Sequence, residues 1–406
     1  MSKQTYFDVL VVGGGMTGSA LALGLSRQGW NVGLVEGSDC SALLRAPGEA
    51  SAVEDFDPRV SAISVASQRL LEQLGVWDEI AAGRHCPYQT MTVWDGDGTG
   101  RIEFEAAELR APALGTIIEN RGIVRALFST LADSSVELID GVRVSGWWQD
   151  GTMRGIRLED GRTLSAGLVV AADGANSRLR QWVGLPTREW DYDQQAIVCT
   201  VRTAHSHRFT AWQRFSPTGP LAFLPLLTES GDEHFCSIVW SQDTAEARRL
   251  MALDNSAFKA ELESAIEREL GAVEEVSHRY AFPLRQRHAK DYIASGFALV
   301  GDAAHTIHPL AGQGANLGYG DVRALLDELS QATKAGISPD NELVLARYQR
   351  RRKGENLAMM AAMEGFKQLF GRDELGVRWL RNTGMRWLNQ LGPIKNRIAA
   401  QAMGLD

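Results

Sequence analysis

A glycine-rich turn near the start of the chain constrains the fold more than any other feature. Residues 7–12 form a short apolar run, and Gly13-Gly14-Gly15-Met16-Thr17-Gly18 follows it with the spacing G-x-G-x-x-G. Residues 19–28 then have helical spacing, and a second apolar run over 31–35 ends in Glu36. This order is typical of dinucleotide binding, because the glycines let a pyrophosphate approach the helix N-terminus and the acid accepts from ribose hydroxyls. A plain glycine turn beside a solvated Glu36 is the alternative, and the motif alone does not separate NAD from FAD.

The composition is that of a folded globular protein of two or three domains. The chain has 406 residues, of which 44% are hydrophobic and 23% are charged. No apolar run approaches the ~18–20 residues of a membrane-spanning helix, and the N-terminus lacks the order of a secretory signal, so we expect a cytoplasmic protein. The net charge of −8 argues against a nucleic-acid partner, which requires a basic surface. The four cysteines lie far apart without a CxxC pair, which predicts buried thiols rather than a zinc site or disulfides.

Two later regions differ in pattern from the first. Aromatic and β-branched runs between 194 and 240, separated by polar, Pro or Gly residues, predict an antiparallel sheet. Beyond residue 340 almost the whole chain has helical spacing, and residues 341–406 contain 12 Lys+Arg against 6 Asp+Glu. This basic region includes Arg350-Arg351-Arg352-Lys353, and it either caps the molecule as a solvated surface or binds an anionic membrane or a partner protein.

Two further segments place turns after apolar strands. One strand ends at Asp173-Gly174, after which Ser177 and Arg180 open a helix; Asp-Gly in such a place is ordinarily only a turn. The other strand ends at Gly301-Asp302, and a loop rich in Pro and Gly then leads into a helix. Such a loop can present backbone N–H groups, together with the positive end of the helix, to an anionic or polar ligand.

Together the three segments resemble a known family. The motifs GxGxxG, DGxxSxxR and GDxxHxxxPxxGxGxN occur in the order and spacing of single-component flavin hydroxylases similar to p-hydroxybenzoate hydroxylase. More narrowly, the chain resembles the ubiquinone-biosynthesis hydroxylases that act on polyprenylated phenols, over essentially its whole length. The stretches that carry this likeness are VGDAAHTIHPLAGQGANLG, FDPRVSAIS, LGVWDEI, LAFLPL, CSIVWS and QAMGL. Ala315 departs from the Val usual at its position, which affects packing rather than chemistry.

The resemblance implies an α/β fold in which a Rossmann-like FAD-binding domain is interleaved with an antiparallel β-sheet substrate domain, followed by C-terminal helices. The FAD-binding domain is expected to be discontinuous, over residues 1–78, 101–184 and 280–335. The substrate domain is expected over 79–100 and 185–279, and the helical region over 336–406. Some aromatic residues of the sheet are expected to face an apolar substrate cavity, the candidates being Trp212, Phe223, Phe235 and Trp240.

The same resemblance implies roles for individual residues around FAD. The residues implied to hold its ADP half are Gly13, Gly15, Gly18 and Glu36. Four further residues are implied to lie near the diphosphate or the ribityl chain, or to support the residues that do. They are Arg59, Asn120, Asp173 and Asp302. The loop implied to run past the isoalloxazine contains Gly312, Gln313, Gly314, Ala315 and Asn316. The residues implied to act in catalysis, where flavin and substrate meet, are Pro309, Gly314 and Ala315.

A metal site is not expected. His305 and His308 lie three residues apart, but no acidic residue or cysteine has ligand spacing to them. We therefore predict structural or substrate-adjacent histidines.

The resemblance also implies the reaction. In the family NAD(P)H binds transiently and reduces FAD, and O2 then forms a C4a-hydroperoxide that delivers oxygen to an electron-rich phenol carbon. The chain is thus expected to be an aromatic monooxygenase on a polyprenylated phenol, foremost 2-polyprenylphenol at ring position 5. Hydroxylation of the later demethoxy-quinol at ring position 6 stays open, and so does a non-catalytic flavoprotein that organises a biosynthetic complex. Partner proteins of that complex, and a peripheral contact of the basic C-terminal helices with the inner membrane, are further expectations.

Overall fold

The structure is a computed structural model, which describes residues 5–42, 44, 48–306, 314–371 and 375–404. Its strands are β1 Thr5–Val12, β2 Val32–Val35, β3 Val60–Ser64, β4 His85–Tyr88, β5 Thr90–Asp95, β6 Arg101–Glu105, β7 Gly115–Glu119, β8 Glu137–Ile139, β9 Val144–Asp150, β10 Met153–Leu158, β11 Thr163–Ala171, β12 Thr187–Thr203, β13 Thr210–Ser216, β14 Gly219–Leu226, β15 Phe235–Asp243, β16 Val273–Val276, β17 Tyr280–Ala289, β18 Ile293–Ala294, β19 Phe297–Leu299 and β20 His305–Thr306. Its α-helices are α1 Met16–Arg27, α2 Val65–Gln73, α3 Trp77–Ala82, α4 Asn120–Ala132, α5 Arg178–Val183, α6 Thr244–Ala252, α7 Asn255–Ala265, α8 Gly314–Lys334, α9 Glu342–Gly371, α10 Leu375–Gln390 and α11 Gly392–Met403.

A mainly parallel sheet of eight strands forms the first layer. Its order is β18-β19-β11-β1-β2-β8, and β10 and β9 continue it beside β11. β1 is central and pairs in parallel with both neighbours, with Val9 opposite Val32 on one side and Leu168 on the other. Strands buried on both faces read as continuous apolar runs, which is why β2 is apolar throughout. The strand, turn, helix and strand predicted for the N-terminal region are therefore confirmed.

A second sheet of nine strands is almost entirely antiparallel. Its order is β20-β17-β12-β15-β14-β13-β5-β6, with β16 beside β12, and within this sheet only β13 and β5 pair in parallel among the described strands. This confirms the antiparallel sheet predicted from residues 194–240, and with the helices that follow it confirms the predicted fold class. β6 and β17 belong to this sheet, although the predicted boundaries put both with the FAD-binding part. The division into domains itself stays a prediction.

Three of the four candidate aromatic residues of this sheet face helices α6 and α7. Trp212, Phe223 and Trp240 are buried in one cluster with Phe258 and Leu262 of α7. The expectation that they line a substrate cavity is wrong for these three residues, because alternation along each strand puts the large side chains on the helix-covered face. Phe235 points to the other face and its ring lies 5.2 Å from that of Phe56.

The opposite face of the nine-stranded sheet carries smaller apolar side chains. These are Ala196, Val198, Ala211, Ala222, Leu224 and Val239, which belong to or pack against two separate clusters. One of these clusters also contains residues of β3, β4 and β7, which form a third, three-stranded sheet. The two larger sheets approach each other through β20, whose His305 pairs with His288 of β17.

The C-terminal helices pack on both large layers, because α9 lies along α8 whereas α10 and α11 contact β6 at the edge of the nine-stranded sheet. α9 lies along α8, and its buried stripe consists of Val344, Leu345, Tyr348, Arg352, Asn356 and Met360. The Arg352 side chain is only 4% exposed, so at least this member of the basic cluster is not part of a solvated surface. Throughout the described ranges, no helix is both long enough and apolar enough to span a bilayer. All four cysteines are buried free thiols, as predicted.

Candidate functional site: a cleft at the strand ends of the parallel sheet

The first glycine turn is shaped by close backbone contacts at two of its glycines. Gly13 has a φ of +108°, and a Cβ there would lie 2.3 Å from the Ala172 carbonyl oxygen. A Cβ on Gly18 would lie 1.9 Å from the carbonyl oxygen of Gly13. Gly15 differs, because a Cβ there would meet nothing within 4 Å. Gly13 and Gly18 are therefore required by the fold, whereas Gly15 leaves open space in front of the turn.

Helix α1 presents an uncapped N-terminus to that space. Gly15 is its N-cap residue and supplies no side-chain hydrogen bond. The N–H groups of the first turn are thus unsatisfied by the protein and carry the positive end of the helix dipole. Glu36 lies beside them: its Oε2 accepts from the Gly14 N–H at 2.7 Å and its Oε1 from the Ser38 N–H at 2.8 Å. Each carboxylate oxygen keeps a lone pair for a further donor.

The second motif lies directly against the first. The Ala172 N–H donates to the Val12 carbonyl oxygen at 2.7 Å. Asp173 Oδ2 accepts from the Leu179 N–H at 3.3 Å, while its Oδ1 is buried without a partner in the described structure. A buried carboxylate oxygen without a partner is costly, so Oδ1 is a natural acceptor for a bound hydroxyl or amide.

Arg180 joins the second motif to the third. Ser177 caps helix α5 by accepting from the Arg180 N–H at 3.0 Å. The buried Arg180 guanidinium donates to the carbonyl oxygens of Ala303, at 2.7 Å, and Ala175, at 3.0 Å. The Ser and Arg of DGxxSxxR thus have structural roles. Ser177 caps the start of α5, and Arg180 fixes the Asp-Gly turn to the 3-10 turn Gly301–Ala303.

The third motif is held from behind by a buried ionic network around Asp321. This carboxylate is fully buried on α8. Its Oδ2 accepts from the Gly301 N–H at 2.9 Å and from His305 Nε2 at 2.6 Å. Its Oδ1 accepts from Arg352 Nε at 2.7 Å. Burial opposes ionisation of Asp321, but His305 and Arg352 outweigh it and hold the pKa of the carboxyl below its usual range.

His305 therefore has a structural role, one of the two roles predicted for it. His308 lies outside the described residues. Among the residues that the structure describes, no group of three His, Cys, Asp or Glu side chains could hold a metal ion.

Thr17, inside the first motif, brings the first and third motifs together. A Cβ on Gly301 would lie 2.9 Å from Thr17 Oγ1, and a Cβ on Gly318 would lie 2.5 Å from the same atom. The start of α1 is thus packed against both the Gly301 turn and the start of α8. The three motifs, distant in sequence, converge at the carboxyl ends of β1, β11 and β19, where ligands bind in open α/β sheets.

Three of the remaining predicted residues lie near this convergence. Asp302 is accessible to solvent at the turn, yet the surrounding protein raises the pKa of its carboxyl by desolvation, against the attraction of His305 and Arg59. Arg59 is exposed, and its positive charge attracts the Asp302 carboxylate. Asn120 starts α4, where its N–H donates to the Arg59 carbonyl oxygen at 3.0 Å and its Oδ1 accepts from Ser61 Oγ at 2.7 Å.

Asn316 ties the start of α8 to β3. Its Oδ1 accepts from the Ser64 N–H at 2.9 Å, and its Nδ2 donates to the Ala62 carbonyl oxygen at 2.7 Å. Both ends of the amide are therefore engaged by backbone groups, which orients the first turn of α8. Gly314 and Ala315 precede it in the same turn, and a Cβ on Gly314 would meet nothing within 4 Å. Pro309, Gly312 and Gln313 fall outside the described residues.

A cleft of about 410 Å³ opens between the first two motifs. Gly13, Gly15, Glu36 and Asp173 line it, and so do two cations that the sequence did not single out, Arg143 and Arg178. The ADP half of FAD needs an uncapped helix N-terminus for its pyrophosphate, an acid for its ribose and positive charge nearby. The cleft provides all three, and the open space at Gly15 and the unpartnered Asp173 Oδ1 fit a ligand placed there.

Comparison with known proteins agrees with this geometry. The chain matches the FAD binding domain family over residues 6–361 and belongs to it, within the FAD-dependent aromatic monooxygenases. The fold matches that of p-nitrophenol 4-monooxygenase PnpA from Pseudomonas putida DLL-E4, with a TM-score of 0.78, 19% identity and 99% of each chain covered.

The related sequences identify the family more narrowly. The 3-demethoxyubiquinol 3-hydroxylase of Escherichia coli (strain K12) is 38% identical over 399 residues, which are 98% of each chain. Ubiquinone hydroxylase UbiL of Rhodospirillum rubrum is 36% identical and covers 99% of this chain, with 91% of its own length matched. The resemblance to ubiquinone-biosynthesis hydroxylases is therefore confirmed.

Sequence reasoning missed the Asp321 network, although the sequence contains a signal for it. Asp321 lies at helical spacing from Leu317, Leu325 and Glu328, so a carboxylate stands on the apolar stripe of α8. Arg352 likewise lies four residues after Tyr348 on the buried stripe of α9. A charge on each of two apolar stripes indicates that the helices pair through those charges, since a buried charge requires a partner.

Replacing Arg352 by Met is expected to lower the free energy of unfolding by about 3–5 kcal/mol, because it leaves the Asp321 carboxylate buried without its cation. The matched control is Arg351→Met. Its ion pair with Asp327 spans 3.0 Å, but the two side chains are 39% and 47% exposed, so a loss of at most about 1 kcal/mol is expected. Urea unfolding measures both, and equal losses would contradict the role given to Asp321.

Because His288 is buried, we expect the folded protein to lose stability in mild acid. Its Nε2 accepts from the Tyr292 hydroxyl at 2.9 Å, and Tyr292 in turn accepts from Asn356 Nδ2 at 3.1 Å. Burial, with His305, Lys353 and Arg188 nearby, lowers the pKa of His288 to about 4. Since the unfolded chain takes up this proton near pH 6.5, stability that is present above pH 6.5 is lost as the pH falls towards 4, by up to about 3 kcal/mol.

His288→Gln keeps an acceptor for Tyr292 but does not titrate. Unfolding free energies of the two proteins, measured from pH 7 to pH 4.5, are expected to converge as the pH falls. Parallel curves would show that His288 is not held neutral in the folded protein.

Proposed function

We propose that this protein hydroxylates the aromatic ring of a polyprenylated ubiquinone precursor, with FAD as its bound cofactor and NAD(P)H as its transient reductant. The observation that carries the proposal is the convergence of the three motifs, with Gly15, Glu36 and Asp173 facing one cleft. The full-length relationship to ubiquinone-ring hydroxylases supports the substrate class.

FAD, once reduced, supplies the activation of O2 for oxygen transfer to the ring. The chain's own residues position and shelter that chemistry. The first turn of α1 binds the pyrophosphate, and Glu36 accepts from the adenosine ribose. Asp302 and Arg59 hold the ribityl side, and the first turn of α8, with Gly314 and Ala315, directs its N–H groups at the flavin ring.

The inner face of the nine-stranded sheet is the proposed wall of the substrate site. Ala196, Val198, Ala222 and Val239 lie on this face, and their small apolar side chains suit contact with an apolar substrate. Apolar walls exclude water from the reacting ring, which protects oxygen transfer from side reactions. The bulky aromatic residues on the outer face stabilise the sheet and take no part in binding.

Two acceptors are proposed. The relative that is 38% identical is named for 3-demethoxyubiquinol, which favours the later demethoxy-quinol. The motifs of the chain favour 2-polyprenylphenol at ring position 5. Association with other proteins of the pathway is a further proposal, and it rests on the resemblance alone.

Gly15→Ala is expected to separate FAD binding from folding. Its Cβ meets no protein atom within 4 Å but enters the space proposed for the pyrophosphate. The variant should purify with little FAD, whereas the free energy of unfolding of its FAD-free form should change by no more than about 1 kcal/mol. Gly354→Ala in α9 is the control, since its Cβ also meets nothing and lies far from the cleft motifs in sequence. Full FAD content in Gly15→Ala would contradict the placement.

The substrate is tested by complementation of strains that each lack one ubiquinone ring hydroxylation, with the accumulated precursor identified by mass. Recovery only of the strain that accumulates demethoxyubiquinol assigns that acceptor, and recovery only of the position-5 strain assigns 2-polyprenylphenol. A yellow protein that restores no strain, and whose NAD(P)H oxidation does not respond to substrate, would instead be a flavoprotein scaffold.

A further inference from the structure

A second pocket is separate from the cleft proposed for FAD. It has a volume of about 300 Å³, at the lower end of the range of small-ligand sites. It is formed by the beginning of β12, the end of β17 with the following turn, and α9. The residues that line it are Arg188, Trp190, His288, Lys290, Asp291, Lys353, Leu357 and Met360. It shares no residue with the cleft proposed for FAD.

The pocket carries an excess of positive charge. Arg188, Lys290 and Lys353 face a single carboxylate, that of Asp291, and His288 is held neutral. Lys353 Nζ lies 3.4 Å from Asp291 Oδ1 and also donates to the Lys290 carbonyl oxygen. Within the described ranges, neither Arg188 nor Lys290 has a carboxylate within 4 Å. Two exposed cations with no acid of their own, at the mouth of one pocket, form a site for an anion.

The rim of the pocket is apolar and exposed. Trp190 of β12 is 48% exposed and Leu357 of α9 is 44% exposed. An exposed indole beside cations is the composition of residues that sit at a membrane–water interface, where the ring enters the headgroup region and the cations meet phosphate. A free inorganic phosphate would make no use of Trp190 and Leu357.

The floor of the pocket touches the proposed active-site helix. Met360 is buried against Leu317, which lies one turn from the start of α8. A surface that binds lipid here would hold the start of α8 near the bilayer, where a polyprenylated substrate partitions.

We propose that this pocket binds the phosphate of an anionic phospholipid headgroup, with Arg188 and Lys290 on the phosphate and Trp190 and Leu357 in the interface. The chemistry recognised is a phosphate ester, and the apolar rim selects a lipid rather than a free phosphate as its source. The inference rests on the proposed function in one respect: a membrane-dissolved substrate gives the site its use.

The test is co-flotation of the FAD-loaded protein with vesicles, which requires no turnover. We expect binding to vesicles of phosphatidylcholine mixed with phosphatidylglycerol and little binding to phosphatidylcholine alone. Arg188→Gln combined with Lys290→Gln should weaken partitioning about 30-fold, since each cation near an anionic surface contributes roughly 1 kcal/mol. Arg69→Gln combined with Lys334→Gln removes the same charge from exposed positions elsewhere and should have a much smaller effect. Trp190→Ala should weaken vesicle binding as well.

Equal flotation of the two double variants would overturn the site, since it would show only a general effect of charge. Competition by glycerol phosphate with no vesicle binding would overturn the lipid assignment. Vesicle binding that requires Arg188 and Lys290 supports the proposal even where complementation fails, so failure of the site and failure of the proposed substrate are separately visible.

Discussion

The fully buried carboxylate of Asp321 is the constraint on which the site depends. A charge in the protein interior is tolerated only when it is paired and hydrogen-bonded. Its partners come from three places: the Gly301 turn, β20 and helix α9. Satisfying one carboxylate therefore fixes the turn that carries Asp302 and the edge where the two large sheets meet. The basic C-terminal region supplies Arg352, the cation that holds this arrangement together.

Glycine in the three motifs serves packing as much as ligand binding. Gly13 and Gly18 allow backbone contacts that a Cβ would prevent, and Gly301 and Gly318 make room for Thr17. Among the described glycines of the motifs, a Cβ would meet nothing within 4 Å at Gly15, Gly174 and Gly314, and Gly15 and Gly314 stand at the starts of α1 and α8. The N-terminus of α1 leaves backbone donors without a side-chain cap, and the starts of both helices belong to one convergence of strand ends. Replacing a glycine in close contact should therefore destabilise the fold of the site, whereas replacing a glycine in open space at a helix start should prevent ligand binding.

The sequence predicted the motifs and their order because each depends on local backbone geometry. Strand, turn and helix follow one another within a few residues, so periodicity and glycine spacing are sufficient. Contacts between distant segments were not predictable in this way. Asp321 and Arg352 are 31 residues apart on separate helices, and Arg143 and Arg178 reach the cleft from different elements. The aromatic residues of the nine-stranded sheet were misplaced for a related reason: strand alternation defines two faces but does not say which one a helix will cover.

Helix α9 links two surfaces that the sequence treats as unrelated. Its buried side reaches Asp321 through Arg352, while Lys353 and Leu357, one and five residues further on, line the cationic pocket. Between them, Asn356 contacts both Asp321 Oδ1, at 3.4 Å, and the Tyr292 hydroxyl, which bonds His288 at the pocket wall. An unbroken chain of polar contacts thus joins the pocket to the turn proposed to hold the ribityl side of FAD. Every residue of this chain of contacts is buried and hydrogen-bonded, so solvent does not screen a change in charge at one end. The same contacts that stabilise the turn proposed to hold FAD therefore also fix His288 and Tyr292 beside the pocket.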